Sequence, residues 1–231
     1  PTDYDFVSAA VNLCIDHNDN ERLQHFVSKG LALQPEDATL LNIQGKLYEE
    51  KREFKQALSV YQKLQETHPK ALDVLKHLAI NSYNLGVENY NKTLELREDP
   101  NVLFYEAEAK EYFTQAIDHL RNILISDPLS LKYTQALAVA YICTGDKENF
   151  GLVNYKLASL GGGKIEENVI PRFIDFVQEA GPTVAAIPSA DAGDQQESLA
   201  EGQLQGIPAY SAFAVPFIES RIGKWQEKDP Y

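Results

Sequence analysis

Residues Leu41–Pro69 read LNIQGKLYEEKREFKQALSVYQKLQETHP, and this stretch decides the fold. Two runs of apolar residues at helical spacing are separated by a charged turn, which predicts a pair of helices. Gly45 and Ala57 are small enough to let the two helices approach closely. Pro69 has no N–H and ends the second helix. Pro35 precedes Pro69 by 34 residues, so the pair is predicted to be one unit of a repeat.

The order of these residues resembles the tetratricopeptide repeat (TPR) family, whose 34-residue unit reads W-x2-L-G-x2-Y…A-x3-F…P. Six positions of that pattern are filled here, by Leu41, Gly45, Tyr48, Ala57, Tyr61 and Pro69. Gln44 replaces the usual leucine, which is the one clear departure. The resemblance is to the family and to no particular member. It implies an all-α fold, an α-α superhelix of about four helix pairs with a concave binding surface.

Four repeats are predicted, over residues 4–35, 38–69, 72–128 and 131–160, and together they form an array over 1–160. The third repeat departs from the period, because Pro128 follows Pro69 by 59 residues instead of 34. We expect its two helices to be longer than their neighbours and to project as an αα-hairpin. Its tip carries three apolar residues, Leu103, Phe104 and Tyr105. Such a tip is either covered by the same chain or used to bind a partner.

The last third of the chain is predicted to begin with a capping region, residues 161–180. Its helix has an apolar stripe of Ile165, Val169, Phe173 and Phe176, with Pro171 in the first turn. A cap is expected because the last repeat of an array cannot leave its stacking face exposed. Residues 181–206 are predicted to be a linker or loop, and 207–231 an amphipathic C-terminal helix. That helix either packs back on the array or leads into another module.

The sequence Gly161–Gly163 followed by Lys164 raises the question of a phosphate-binding loop. Such a loop reads G-x-x-x-x-G-K-[ST] and follows a strand. Here Ala158 replaces the first glycine, and Ile165 offers no hydroxyl after the lysine. The glycines therefore indicate the end of a helix, where left-handed backbone angles are common.

No other pattern predicts catalysis or a bound metal. Asp73 and His77 lie four residues apart on one helix face, but two ligands are too few for a metal site. No H-E-x-x-H motif and no nucleophile paired with a base can be argued from spacing. We predict a protein that is not an enzyme and has no catalytic, cofactor or metal site.

The resemblance implies that the first helix of each repeat lines a groove for a protein or peptide partner. The predicted groove residues are Asn42, Lys46, Glu49, Lys76, His77, Ile80, Tyr83 and Asn84. A variant of the family binds the carboxylate tail of heat-shock chaperones through Lys, Asn and Arg residues. The matching positions here are Ser8, Asn12, Ile43, Asp73 and His77, of which only Asn12 agrees. The sequence therefore argues against a heat-shock chaperone tail as the partner.

The net charge of the chain also limits the kind of partner that it can bind. The net charge is −13, which argues against nucleic acid or an anionic membrane surface. No apolar run is long enough to insert into a bilayer, so a soluble protein is predicted, cytoplasmic or periplasmic. We expect a non-catalytic interaction scaffold or adaptor. The alternative is a recognition or regulatory module of a larger enzyme or cell-envelope assembly whose active part lies outside this chain.

Overall fold

The computed structural model describes residues 3–96 and 98–176, and in these residues it contains eight α-helices and no strand. The first two pairs are α1 (Asp3–Asp16) with α2 (Asn20–Leu33), and α3 (Ala38–Glu50) with α4 (Phe54–Thr67). The last two are α5 (Leu72–Glu95) with α6 (Val102–Ser126), and α7 (Leu131–Thr144) with α8 (Lys147–Ser159). The predicted all-α fold of four helix pairs is confirmed. The predictions for 181–206 and 207–231 lie outside the described residues, and the repeat boundaries stay predictions.

Three helices begin at a side-chain cap, and one ends at a glycine. Asp19, Asp37 and Asp146 precede α2, α3 and α8, and each accepts a hydrogen bond from the backbone N–H three residues later. These carboxylates satisfy N–H groups that have no partner within the helix. Gly145 ends α7 with φ of 85°, a left-handed conformation that glycine adopts without steric cost.

The core consists of three buried clusters that follow one another along the array. One lies between α1, α2 and α3, the next between α3, α4 and α5, and the largest between α5, α6, α7 and α8. The main packing is between helices adjacent in sequence. Because every helix shares a cluster with its neighbours, no pair buries its apolar faces alone, as expected of a repeat array.

A glycine facing an aromatic ring sets the spacing of the helices in the second pair. A Cβ at Gly45 would lie 2.5 Å from Cζ of Tyr61, whose side chain is completely buried. The third pair repeats this arrangement, since a Cβ at Gly86 would lie 2.9 Å from the ring of Phe113. The prediction that Gly45 permits close helix approach is confirmed.

The third pair is the lengthened one, as predicted. Helices α5 and α6 have 24 and 25 residues, whereas the others have 13 or 14. At 1.5 Å per residue, the long helices measure about 36 Å and the others about 20 Å. Leu103 and Phe104 near the start of α6 are 71% and 59% exposed. Tyr105 is half-buried, with the Lys92 ammonium 5.4 Å from its ring centre.

The predicted capping helix is wrong for the residues that the structure describes. Residues 165–176 contain no helix, and 177–180 lie outside the described residues. In a helix that begins at Ile165, Pro171 is the seventh residue and lies beyond the predicted first turn, so it would remove a hydrogen bond and clash with the preceding turn. The apolar stripe was nevertheless a correct guide to packing, because Ile165, Val169 and Phe173 pack against the largest core cluster.

Among the residues described, no helix combines the length and the apolar character needed to cross a bilayer.

We expect Gly45→Ala to destabilise the protein by about 1–3 kcal/mol, because the new methyl group must displace the buried ring of Tyr61. Gly151→Ala in α8 is the matched control. A Cβ there meets no atom within 4 Å, so this change should stabilise the helix by about 0.5–1 kcal/mol. Urea denaturation followed by circular dichroism measures both changes. Equal effects of the two substitutions would contradict the role of Gly45 in helix spacing.

Candidate partner-binding groove

Residues 164–176, here called the strap, lie against α5 and α7, which are first helices of their repeats and were predicted to line the groove, and also against α4 and α8. The strap has no helix or strand of its own, and its contacts involve α8, α7, α5 and α4. It follows Gly161 and Gly163, whose φ angles of 86° and 73° turn the chain at the end of α8. We use groove for the surface that the strap covers, which includes His77 and Asn84 of the eight predicted groove residues.

Two asparagines hold the backbone of the strap. The side-chain amide of Asn84 donates to the carbonyl of Ile174 over 3.0 Å, and its oxygen accepts from the Ile174 N–H over 2.8 Å. Asn154 makes the same pair of bonds with Ile165, both at 2.8 Å. One residue presents both groups to one partner when its backbone is extended, as in an antiparallel sheet. The two asparagines, which we call the amide clamps, therefore bind the main chain of the strap and not its side chains.

Aromatic contacts hold two side chains of the strap. The ring of Phe173 stacks on Phe54 with centroids 5.8 Å apart, and the Arg52 guanidinium lies 5.5 Å from its centre. The ring of Phe176 stacks on His77 at 5.5 Å. Such contacts depend on side-chain identity, whereas the amide clamps do not. The strap is thus held both through its main chain and through particular side chains.

Charged groups add weaker contacts along the strap. The Lys147 ammonium lies 2.7 Å from the Glu167 carboxylate, and Lys132 donates to the carbonyl of Asp175 over 3.2 Å. Both side chains of the Lys147–Glu167 pair are largely exposed, so this pair contributes little to stability.

A buried polar network lies beneath Phe176. The Glu49 carboxylate accepts hydrogen bonds from Nδ2 of Asn81 at 2.6 Å and from Nδ1 of His77 at 2.9 Å. The His77 ring also stacks on Tyr61, with centroids 4.3 Å apart. Burial raises the pKa of Glu49, and the bond from His77 partly opposes that rise. Burial raises the pKa of Tyr61 as well, with the charge of Glu49 adding to the effect. This network fixes the orientation of the ring that Phe176 contacts.

The structure distributes the eight predicted groove residues among three environments. Three belong to the strap contacts or to the network beneath them: Glu49, His77 and Asn84. Two belong to the buried core instead: Ile80 and Tyr83. Three are half-buried on α3 and α5: Asn42, Lys46 and Lys76. Tyr83 lies in the core because its ring meets Phe113 of α6 edge-on at 5.4 Å.

Several residues that contact the strap were not predicted from the sequence. These are Arg52, Phe54, Lys132 and Asn154, together with the strap residues that they contact. Phe54 could have been chosen as a contact residue from the sequence, because it begins the second helix of its pair directly after the charged turn. The strap could also have been recognised from Pro171, which argues against a helix through the Phe173–Phe176 pair.

The groove offers binding groups rather than reactive ones. Within the described residues, no three His, Cys, Asp or Glu side chains are placed to hold a metal ion. The buried Glu49 accepts hydrogen bonds from Asn81 and His77, and the ring of Phe176 stacks on His77. These groups together hold the strap against the helices.

Comparison with known proteins defines the type of fold. No family model and no curated protein matches this chain. Three similar solved structures are all of MamA: a mutant of the protein, the AMB-1 protein and the MSR-1 protein, with TM-scores of 0.53, 0.53 and 0.50. Their identities to this chain are 19%, 20% and 18%. The matches cover 69%, 74% and 69% of this chain and 78%, 80% and 78% of the others. MamA is a TPR-like protein, so the chain has a TPR-type fold, in agreement with the sequence.

We expect Asn84→Ala to release the strap locally. The change removes two hydrogen bonds from a side chain that is only 1% exposed, which should cost about 1–3 kcal/mol. Amide hydrogen exchange should become faster at Ile174, while α5 and α6 stay protected. Asn42→Ala is the matched control, because within the described residues no hydrogen bond joins Asn42 to the strap. Unchanged exchange at Ile174 in the Asn84 variant would contradict the clamp.

Stability should also depend on the protonation of Glu49. Its pKa is raised in the folded state, so over the interval above the ordinary value of 4.5 the folded chain keeps a proton that the unfolded chain has lost. The free energy of unfolding therefore falls as pH rises through this interval. Glu49→Gln keeps an acceptor oxygen but cannot titrate, so its free energy of unfolding lacks this dependence on pH. The variant should therefore gain stability relative to wild type as pH increases.

Urea denaturation at several values between about pH 4 and pH 7 measures this difference, since an ordinary glutamate titrates near the lower end of that range. Glu66→Gln, at an exposed position on α4, is the control and should show a constant difference from wild type. Parallel profiles for wild type and Glu49→Gln would show that Glu49 does not control the effect.

Proposed function

We propose that this chain is a non-catalytic interaction scaffold that binds an extended segment of a partner protein in the groove. The observation that carries the proposal is the pair of hydrogen bonds between Asn84 and the backbone of Ile174. A side chain that meets both the N–H and the C=O of one residue is suited to recognise a peptide chain. The strap supports this interpretation, because it is a peptide bound in that way.

The character of the groove supports a binding role over a catalytic one. Its contacts are amides, aromatic rings and two lysines, and its buried carboxylate is engaged by His77 and Asn81. The TPR-like fold of the MamA structures supports the same role, since such arrays present extended binding surfaces. A recognition module of a larger assembly would use the same groove chemistry, so the two functional classes share this site.

The partner is proposed to be a protein or peptide rather than a polyanion. The net charge of −13 opposes association with nucleic acid. A heat-shock chaperone tail remains disfavoured, because the position expected to carry an asparagine in the second repeat is Ile43, which is 4% exposed. The groove contacts are better suited to aromatic side chains than to a terminal carboxylate.

The hairpin tip is proposed as a second interaction surface. Leu103 and Phe104 are exposed apolar residues on the first turn of α6. Tyr105 lies beside Phe104, with ring centroids 5.6 Å apart. Neighbouring exposed apolar groups of this kind commonly mark contacts with other proteins.

A photo-crosslinking amino acid at three positions tests both surfaces in the full chain. Lys132 lies beside the strap, Leu103 lies at the tip, and Ile125 is an exposed control on α6. After crosslinking in cells of the native host, mass spectrometry should identify one segment of a partner attached at position 132. Attachment at 103 would support the tip as a second surface. Equal attachment at all three positions, or none at 132, would contradict partner binding through the groove.

A further inference from the structure

The strap has the properties of a bound ligand rather than of a structural element. The buried members of the three core clusters all come from α1 to α8. The strap adds the buried Pro171 and partly buried residues that pack against these clusters from outside. Gly161 and Gly163 join it to α8 in left-handed conformations, which lets the chain turn sharply between the last helix and the groove.

The contacts of the strap define what can take its place. Asn84 requires one residue with a free N–H and C=O, which excludes proline at that position. The Phe54–Arg52 site holds an aromatic ring one residue earlier, and His77 holds another two residues later. A competing segment must therefore carry two aromatic residues three positions apart around a residue that is not proline.

We propose that the strap is a displaceable internal ligand, and that the partner is an extended peptide with the pattern aromatic-x-x-aromatic which competes for the same groove. This inference rests on the proposed function of the groove. Because the strap is tethered, it acts at an effective concentration of about millimolar, so a free peptide of similar sequence binds weakly until the strap is released. The chain is then a scaffold that admits partners with strong or multiple contacts and excludes weak ones.

The test compares the full chain in closed and opened forms. The opened form is Phe173→Ala/Phe176→Ala, which removes both aromatic contacts of the strap. The matched control is Leu103→Ala/Phe104→Ala, which removes two apolar side chains outside the groove. The probe is a fluorescent peptide with the strap sequence KIEENVIPRFIDF, from Lys164 to Phe176. Fluorescence anisotropy measures its dissociation constant for each chain.

We expect the opened chain to bind the probe at least about tenfold more tightly than wild type, as removal of a tethered competitor requires. The tip control should bind as weakly as wild type. A probe with alanine at both phenylalanine positions, and one with proline at the position of Ile174, should bind the opened chain at least about tenfold more weakly, because each loses a defined contact.

The possible negative results distinguish the displaceable strap from the groove as a peptide site. Equal, tight binding to the closed and opened chains would show that the strap does not compete, while the groove still binds peptide. Failure of the opened chain to bind, with its helical circular dichroism unchanged, would overturn both the displaceable strap and the groove as a peptide site. Concentration-dependent dimers of wild type with the strap exchanged between copies would overturn internal occupancy.

A second opened variant tests the proposal in case the first one does not fold. Ile174→Pro removes the N–H that donates to Asn84 and leaves both phenylalanines in place. It should increase probe affinity in the same direction as the first opened variant. Should the alanine variant lose helical signal, the proline variant decides the proposal, and unchanged affinity in it would overturn the displaceable strap.

Discussion

The close approach of paired helices at glycine is the constraint on which the rest of the structure depends. Where Tyr61 lies against Gly45 and Phe113 lies against Gly86, the ring occupies space that any side chain would fill. This contact brings the helices of a pair together and directs their apolar faces into shared clusters. Glu49 lies four residues after Gly45 on the same face of α3, so its carboxylate meets the His77 ring that stacks on Tyr61.

The sequence was sufficient to predict the features that follow from the repeat period. Proline spacing and the small-residue positions predicted the helix pairs, and the excess length of the third repeat predicted the long α5 and α6. Helix register also selected His77 and Asn84, which contact the strap, although their role in binding a partner stays a prediction. The same register placed Ile80 and Tyr83 in the groove, yet they lie in the core because α5 is long and meets α6 along its length. The repeat period predicts which residues lie on the same helix face. Whether that face is exposed depends on the neighbouring helix.

The strap could not be predicted in the same way, because its conformation comes from its partner surface. Residues Ile165, Val169 and Phe173 have helical spacing, but an irregular segment that touches a surface at intervals produces a similar pattern. The hydrogen bonds of the strap go to Asn84 and Asn154, which lie on different helix pairs. Only the folded array brings these asparagines to one side, so no local feature of residues 164–176 reveals them. Pro171 was the single local sign against a helix.

The spacing of the two amide clamps gives the groove a length and a direction. Ile174 lies nine positions after Ile165, and the strap proceeds from the fourth helix pair back toward the second. Nine positions span at most about 30 Å when fully extended, and the turn closed by the bond from the Val169 N–H to the Glu166 carbonyl keeps the two clamps closer together than this limit. A partner segment that replaced the strap in the same direction would therefore reach the Asn154 clamp first and the two aromatic sites last.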